Sequence, residues 1–317
     1  MFRCISAVPA RIVQIDYRCV QTLLEVRGGE PATEAGNDQT RGARCAFREG
    51  RSAMARTLNG KVAIVTGGSR GVGKAVALEL AALGASVAVT ARTVAPRGDD
   101  LVGTVGETAA AIERLGSKAL AVGADFAQAG SVEMVLSRVF DAWGRVDVLV
   151  NNAADTGDNV FRGFDETTAD EWAAQIDLNL NVCYAMMKGV VPSMRANGGG
   201  LIVNMGSMKE VPEGLQPPTP LKLGAAYPTS KVAIYAMTTL LAQELAADNI
   251  VALTLNPGGA ASEMHYHHMA RLGIPANPTP LAYPAKTIGY LATCEDPMTY
   301  AGRYVDAVVF APEKGLA

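Results

Sequence analysis

Short apolar runs alternate with longer amphipathic segments from residue 57 to the end of the chain. The short runs are rich in β-branched residues and stop at glycine or a polar residue, which is typical of buried strands. The longer segments have apolar residues at helical spacing, and several end at glycine. The predicted strands are 61–67, 86–90, 119–125, 146–153, 200–207, 250–258 and 301–310. The predicted helices are 73–84, 106–116, 131–144, 171–194 and 230–247.

This alternation predicts an α/β fold with a single Rossmann-like domain. The sheet is expected to be seven-stranded, mostly parallel and doubly wound, with helices on both faces. Ligands of such sheets bind beyond the carboxyl ends of the strands. Functional side chains are therefore expected just after a strand or near the start of a helix.

Residues 1–56 lack this pattern, and the segment 27–42 is polar and glycine-rich. Three interpretations are open for this extension. The favoured one is a start codon assigned too far upstream, with Met54 as the true start. The second is a targeting peptide, since residues 1–15 contain two arginines and no acid. The third is a functional arm. The predicted domain therefore comprises residues 57–317. We expect the protein in the cytoplasm, or in an organelle matrix if the extension is a transit peptide.

Composition narrows the class of protein further. The formal net charge is −3, which gives no reason to expect nucleic acid or an anionic membrane as a partner. The five cysteines form no CxxC pair and no evident disulfide framework, which favours a reducing compartment. No uncharged apolar run is long enough to predict a membrane span.

A glycine-rich turn follows the first predicted strand and precedes the first predicted helix. Its sequence is TGGSRGVG, at 66–73. Gly67, Gly71 and Gly73 allow a tight turn and a close approach of the backbone to a pyrophosphate, and the helix N-terminus then meets the negative charge. The strand and helix on either side make this a specific signal rather than an ordinary turn.

Several further motifs occur in order along the chain. They are TGGSRGVG at 66–73, NNAA at 151–154, GS at 206–207, YPTSK at 227–231 and NPG at 256–258. On these motifs the chain from about residue 57 onward resembles the short-chain dehydrogenase/reductase family.

The resemblance implies a set of dinucleotide contacts. In this sequence Asp125 matches the family residue at the adenine amino group, and Asn151 and Ala153 match residues that line the adenosine ribose. Ser262 stands where the family often has a threonine that bonds the carboxamide, and Ala154 replaces the usual glycine. The expected cofactor-binding residues are Thr66, Gly67, Ser69, Arg70, Gly71, Val72, Gly73, Arg92, Asp125, Phe126, Asn152, Ala153, Lys231, Pro257, Gly258 and Ser262.

The end of the second strand indicates which dinucleotide binds. Rossmann proteins that use NAD usually have an acid there for the ribose 2′-hydroxyl. In this chain the position is Ala91, Arg92 follows it, and Arg70 lies in the glycine loop. Guanidinium groups pair with phosphate, so we expect NADP(H) rather than NAD(H). The alternative is that both arginines are solvated surface charges.

Tyr227 and Lys231 are four residues apart, which puts them on one face of a helix. Pro228 between them is tolerated in a first turn. A free tyrosine has a pKa of about 10, so acid–base work at neutral pH needs a group that stabilises the phenolate, and an adjacent ammonium does so. The pair therefore predicts proton exchange with a substrate oxygen during hydride transfer. By resemblance, Lys231 also holds the nicotinamide ribose.

Two further residues complete the expected catalytic set. Ser207 ends the fifth predicted strand and is expected to hold the carbonyl oxygen. Asn179 aligns with the family asparagine that supports a water-linked proton path from the lysine. Asn181 is its rival in the same segment, and Asn179 is preferred because it stands directly before an apolar residue.

The substrate is left open by the sequence. Residues 208–226 form a loop that is longer and richer in proline than the family resemblance leads us to expect, and residues 263–269 hold all three histidines. We expect Met208 and His265 to contact the substrate, and the segment after 263 to act as a lid. A metal site on His265 and His268 is disfavoured because no further ligand cluster is evident. A steroid, a sugar, an acyl thioester and a xenobiotic ketone are all compatible with the sequence as substrates.

The sequence thus predicts an NADP(H)-dependent oxidoreductase that interconverts a carbonyl and an alcohol on a small organic molecule. One alternative is an epimerase or dehydratase of related fold, which usually has a different glycine spacing. The other is a non-catalytic nucleotide-binding scaffold. The resemblance also implies a homodimer or homotetramer, with helices 171–194 and 230–247 as the expected interface.

Overall fold

The computed structural model describes residues 57–96, 102–207 and 224–316. The expectations for residues 1–56 and for Met208 lie outside these ranges. Within them the chain forms one seven-stranded sheet in the order β3-β2-β1-β4-β5-β6-β7, and every neighbouring pair is parallel. The strands are β1 Val62–Thr66, β2 Ser86–Ala91, β3 Ala119–Gly123, β4 Val148–Asn151, β5 Gly200–Met205, β6 Ile250–Asn256 and β7 Tyr304–Asp306.

Helices cover both faces of the sheet. They are α1 Gly71–Ala82, α2 Val105–Arg114, α3 Ser131–Trp143, α4 Ala169–Ile176, α5 Val182–Ala196, α6 Ala226–Leu245, α7 Glu263–Leu272, α8 Ala282–Thr293 and α9 Ala307–Glu313. One buried cluster joins α1, α2 and α8 to one face, and a second joins α3, α5 and α6 to the other. No helix in the described ranges is long and apolar enough to cross a lipid bilayer.

The apolar runs explain this layering. β6 is buried along its whole length. Val251, Leu253 and Leu255 join the first cluster, whereas Ile250 and Ala252 join the second. A strand buried on both faces needs a continuous apolar run, because successive side chains point to opposite sides. The predicted doubly wound, seven-stranded fold is confirmed.

Strand order changes direction between β1 and β4, since the chain first adds β2 and β3 on one side and later β4 to β7 on the other. The carboxyl ends of β1 and β4 therefore border a crevice, the place where ligands bind in open α/β sheets. The glycine loop follows β1 at this edge.

Two local predictions need correction, and two further helices were not predicted. The segment 301–310 is not one strand: β7 ends at Asp306, whose carboxylate caps α9 by accepting a hydrogen bond from Val308 N at 3.0 Å. The predicted helix 171–194 is divided into α4 and α5 by a π-helical turn at Asp177–Asn181. The segment after residue 263 contains the helix α7, and α8 was not predicted at all.

A buried carboxylate joins β1 to β4. The side chain of Asp147 is 6% exposed and accepts hydrogen bonds from Arg145 Nε at 2.8 Å, Lys61 Nζ at 3.0 Å and Val62 N at 2.9 Å. Burial raises the pKa of Asp147, but the hydrogen bonds, that of Arg145 first, outweigh it and hold the pKa below its ordinary value. The ionised carboxylate is therefore favoured in the folded state.

We expect Asp147→Asn to lower the free energy of unfolding at pH 7 by about 2–3 kcal/mol, because Arg145 and Lys61 lose the negative charge and one of the two acceptor oxygens. A depressed folded pKa contributes stability above the unfolded pKa of about 3.9, and this contribution is lost as pH falls through the folded pKa. Urea unfolding of both proteins should therefore converge below about pH 4. Asp141→Asn, at an exposed position on α3, is the control. A difference that persisted unchanged at pH 3 would contradict the assignment.

Candidate active site

The glycine loop is held to the end of β4 by reciprocal hydrogen bonds. Thr66 Oγ1 accepts from Asn152 N at 2.9 Å and from Ala153 N at 3.0 Å. Asn152 Nδ2 donates to Thr66 O at 2.9 Å and to Gly67 O at 3.1 Å. The side chains of Thr66 and Asn152 therefore hold the glycine loop against the end of β4.

Gly71 and Gly73 are two of the loop glycines that have no room for a side chain. A Cβ at Gly73 would lie 2.3 Å from Gly67 O. Gly71 has a φ of +53°, and a Cβ there would lie 2.9 Å from Ser262 Cβ. The N-terminus of α1 thus borders a narrow space between the loop and Ser262. This cradle fits the pyrophosphate of a dinucleotide, because helix N–H groups and the helix dipole favour an anion there.

A cleft of about 270 Å³ runs along this edge of the sheet. The predicted cofactor residues that line it are Gly67, Ser69, Arg70, Gly71, Val72, Gly73, Arg92, Asp125, Phe126, Asn152, Ala153 and Ser262. Lining residues that were not among the expected contacts are Ala91, Thr93, Ala124, Ala154, Thr156, Leu178 and Met264. The expected contacts that do not line it are Thr66, Lys231, Pro257 and Gly258. The cleft therefore matches the adenosine and pyrophosphate part of the expected site.

Asn151 is a correction to the sequence-based site. Its side chain is buried, and Nδ2 donates to Asn204 Oδ1 at 2.8 Å and to Cys183 O at 3.4 Å. Asn151 therefore lies in the core between β4 and β5, while the next residue, Asn152, faces the cleft. The direction of the side chain at the last residue of a strand decides this, and a dipeptide of two asparagines does not reveal it.

The end of β2 combines small and basic residues. Arg70 Nη2 donates to Thr93 Oγ1 at 3.0 Å and to Gly103 O at 3.5 Å, which holds the guanidinium beside the strand end. Arg92 is exposed, and Ala91 occupies the position of the usual acid. Asp125 is the one acid among the cleft residues that the structure describes. Arg70 and Arg92 thus bring two guanidinium groups to the strand end, where Ala91 itself carries no carboxylate.

Tyr227 and Lys231 come together at the start of α6. The helix begins at Ala226, so Tyr227 and Pro228 occupy its first turn, as predicted. Lys231 is 5% exposed, and its Nζ lies 5.6 Å from the centroid of the Tyr227 ring. Nζ also donates to Met205 O at 2.9 Å. The ammonium is thereby fixed between the tyrosine ring and the end of β5.

Ser207 stands close to this anchor in the chain. β5 ends at Met205 rather than at Ser207, and Gly206 N donates to Leu255 O at 2.8 Å. Ser207 is therefore the second residue beyond the strand whose last carbonyl holds Lys231. This puts its hydroxyl at the carboxyl edge of the sheet, where the sequence predicts the clamp for the substrate oxygen.

Asn179 lies fully buried in the π-helical turn. Its Nδ2 donates to Gln175 Oε1 and to Ser230 Oγ, each at 3.0 Å, and its Oδ1 accepts from Asp155 N at 2.8 Å. Asn181 is exposed and donates to Asp177 Oδ1. The geometry favours Asn179 over its rival. It also commits the side-chain amide of Asn179 to protein partners.

The histidines lie on α7, beside the cleft. Ser262 Oγ caps this helix by accepting from His265 N at 3.2 Å. His265 packs near Gly259, and the ring of His268 meets Phe161 edge-on with centroids 4.9 Å apart. Burial lowers the pKa of both His265 and His268, which favours neutral imidazoles at neutral pH. In the described ranges these side chains do not join a group of three or more residues able to hold a metal ion.

The glycine loop lies at the crevice of a parallel α/β sheet where the strand order changes direction, which is typical of dinucleotide-binding proteins. Comparisons with known proteins identify the family. The family model for short chain dehydrogenases matches residues 61–271. A 3-oxoacyl-[acyl-carrier-protein] reductase from Synechocystis is 32% identical over 273 residues, which cover 82% of this chain and 98% of that protein. The chain belongs to the short-chain dehydrogenase/reductase family of oxidoreductases.

Two solved structures have the same fold. A short-chain dehydrogenase from Burkholderia cenocepacia in complex with NADP is 30% identical, with a TM-score of 0.63 over 78% of this chain and 96% of that one. A protein from Beutenbergia cavernae, assigned as an NAD(P)-dependent gluconate 5-dehydrogenase and holding NADP at low occupancy, is 28% identical. Its TM-score is 0.65 over 80% of this chain and 97% of that one.

Proposed function

We propose that this protein interconverts a carbonyl and an alcohol on a small organic molecule, with NADP(H) as the redox partner. The observation that carries the proposal is the pair formed by Tyr227 and the buried Lys231 at the start of α6. Lys231 Nζ lies 5.6 Å from the centroid of the Tyr227 ring, so a buried ammonium stands beside the tyrosine that is proposed to exchange the proton. Ser207, at the same edge of the sheet, supports the proposal.

The catalytic roles follow from these positions. Tyr227 Oη gives a proton to the substrate oxygen during reduction and takes it back during oxidation. Lys231 stabilises the phenolate, and Met205 O keeps the ammonium in place. The Ser207 hydroxyl holds the same substrate oxygen. When bound, the nicotinamide ring supplies or accepts the hydride.

The preference for NADP(H) is supported by the end of β2. Ala91 leaves no carboxylate to repel a 2′-phosphate, and Arg70 and Arg92 offer two guanidinium groups. The two related structures that hold NADP point the same way. The glycine loop, Asp125 and Asn152 would line the adenosine and pyrophosphate part of the cofactor.

The activities of the relatives support a type of reaction rather than one particular substrate. One is a reductase of 3-oxoacyl groups on a carrier protein, and another is assigned to gluconate oxidation. Both act on a carbonyl and alcohol couple. A homodimer or homotetramer is part of the same proposal, because Trp172, Tyr184 and Leu240 leave large apolar side chains exposed on α4, α5 and α6.

Titration with NADPH and NADH, followed by nicotinamide fluorescence, tests the cofactor. We expect the Kd for NADPH to be lower than that for NADH by about tenfold or more, which corresponds to about 1.4 kcal/mol. A panel of ketones with NADPH and of alcohols with NADP then tests the reaction. Equal or tighter binding of NADH would overturn the cofactor preference, and absence of turnover across both panels would overturn the carbonyl–alcohol assignment.

A further inference from the structure

Three buried polar side chains connect α4 to the start of the catalytic helix. Gln175, on α4, is 2% exposed, whereas Asn179 and Ser230 are completely buried. Polar groups at such depth need hydrogen-bond partners, since an unsatisfied one costs about 1–3 kcal/mol. The hydrogen bonds among these three side chains determine which backbone groups they hold in place.

The hydrogen bonds run in one direction toward the tyrosine. Asn179 Nδ2 donates to Ser230 Oγ at 3.0 Å, and Ser230 Oγ donates to Tyr227 O at 2.7 Å. The serine hydroxyl has one proton, so by accepting from Asn179 it is free to donate to the backbone of Tyr227. The first turn of α6 therefore has a side-chain anchor directly at the residue that carries the reacting hydroxyl.

Gln175 fixes the orientation of the asparagine. Its Oε1 accepts the other Asn179 Nδ2 proton at 3.0 Å, while Asn179 Oδ1 accepts from Asp155 N at 2.8 Å. Both N–H donors and the oxygen of the amide are thus used. Gln175 Nε2 also donates to Asp155 O at 3.4 Å. Gln175 and Asn179 together hold both backbone groups of Asp155, next to the cleft residue Ala154.

Cys183 holds the backbone of the same asparagine. Its Sγ donates to Asn179 O at 3.1 Å, and burial raises the pKa of this thiol to about 11, so the proton needed for that bond stays on sulfur. Asn179 is consequently fixed through its amide and its carbonyl. In the described part of the chain, Gln175 is the member of this set that joins the asparagine amide to α4.

We propose that Gln175 is a positioning residue for the reaction, because it orients Asn179 and, through Ser230, holds Tyr227 in place. This inference rests on the proposed function, in which Tyr227 is the acid and base. Proton transfer is sensitive to small displacements, since an error of 1 Å in the position of a reacting group costs on the order of 100-fold in rate. Loss of this anchor therefore affects turnover more than binding.

The test compares Gln175→Met, Ser230→Ala and the double variant in the full-length protein. Methionine has the same unbranched length and lacks the amide. We expect each single variant to lower kcat by about tenfold, with KM and the Kd for NADPH changed by less than about twofold. Because Gln175 acts on Tyr227 through Asn179 and then Ser230, the double variant is expected to lose no more than about tenfold, where independent effects would multiply. Gln128→Met, at an exposed glutamine, is the control.

The outcomes separate this inference from the function on which it rests. No turnover in the unsubstituted protein removes the proposed function, and the inference with it. Turnover in the unsubstituted protein, with kcat of Gln175→Met equal to that of Gln128→Met, overturns the positioning role alone. A multiplicative loss in the double variant also overturns it. If Gln175→Met does not fold, an unchanged kcat in Ser230→Ala overturns the positioning role instead.

Discussion

Replacing Tyr227 with phenylalanine is expected to lower kcat by about a thousandfold or more while the Kd for NADPH changes by less than about twofold. The substitution removes one oxygen atom and keeps the ring beside Lys231. In the proposed reaction that oxygen carries the proton to and from the substrate. The cleft that matches the adenosine and pyrophosphate of the cofactor is lined by other residues, so binding there is expected to persist.

The measurement is turnover of the best substrate in the panel, with NADPH binding followed by fluorescence on the same samples. Tyr235→Phe is the matched control, because Tyr235 lies two turns further along α6, with its ring edge-on to Tyr304 at 5.7 Å between centroids. A Tyr227→Phe protein that retained more than about a tenth of the parental kcat would remove Tyr227 from its proposed role.

The fold was largely predictable because its strands are buried on both faces. A continuous apolar run bounded by glycine or a polar residue has few other interpretations, and β1, β5 and β6 are of this kind. The glycine loop was predictable for a related reason: Gly71 and Gly73 are needed where no side chain fits. These features depend on local sequence, so a single chain reveals them.

The catalytic surroundings were less predictable because they depend on contacts between distant residues. The π-helical turn at Asp177–Asn181 interrupts a segment whose apolar spacing is helical throughout, so periodicity alone conceals it. Gln175 and Ser230 are separated by 55 positions, and their shared partner Asn179 becomes evident when α4 packs near α6. A polar residue at a buried position of α4 was the available signal.

The C-terminal segment and α7 illustrate a different limit. The run at 307–310 is apolar and β-branched in part, which fits a strand or a short helix equally well. The hydrogen bond from Val308 N to the Asp306 carboxylate favours the helix. This bond forms only where the backbone turns away from β7, which the apolar pattern does not reveal. The histidine-rich segment after 263 was expected to act as a lid, and its helix α7 was not predicted. Ser262, which caps α7, was identified only as a cofactor contact.

The proposed preference for NADP(H) rests largely on one small side chain. Ala91 is the last residue of β2, pairs with Gly123 of β3 and lines the cleft beside Arg92. An aspartate there would place a carboxylate where a 2′-phosphate is proposed to bind. Like charges at short range repel, whereas the same carboxylate accepts a hydrogen bond from a ribose 2′-hydroxyl. A single substitution is therefore expected to weaken the binding of NADPH and to strengthen the binding of NADH.

We expect Ala91→Asp to raise the Kd for NADPH by about 100-fold and to lower the Kd for NADH by about tenfold, a reversal of preference worth about 4 kcal/mol. Ala91→Asn is the matched control, because it has nearly the same shape without the charge. If both substitutions weakened NADPH binding equally, the effect would be steric rather than electrostatic. If Ala91→Asp kept the parental preference, the end of β2 would not be the site of the 2′-phosphate, and Arg70 and Arg92 would lose their proposed role.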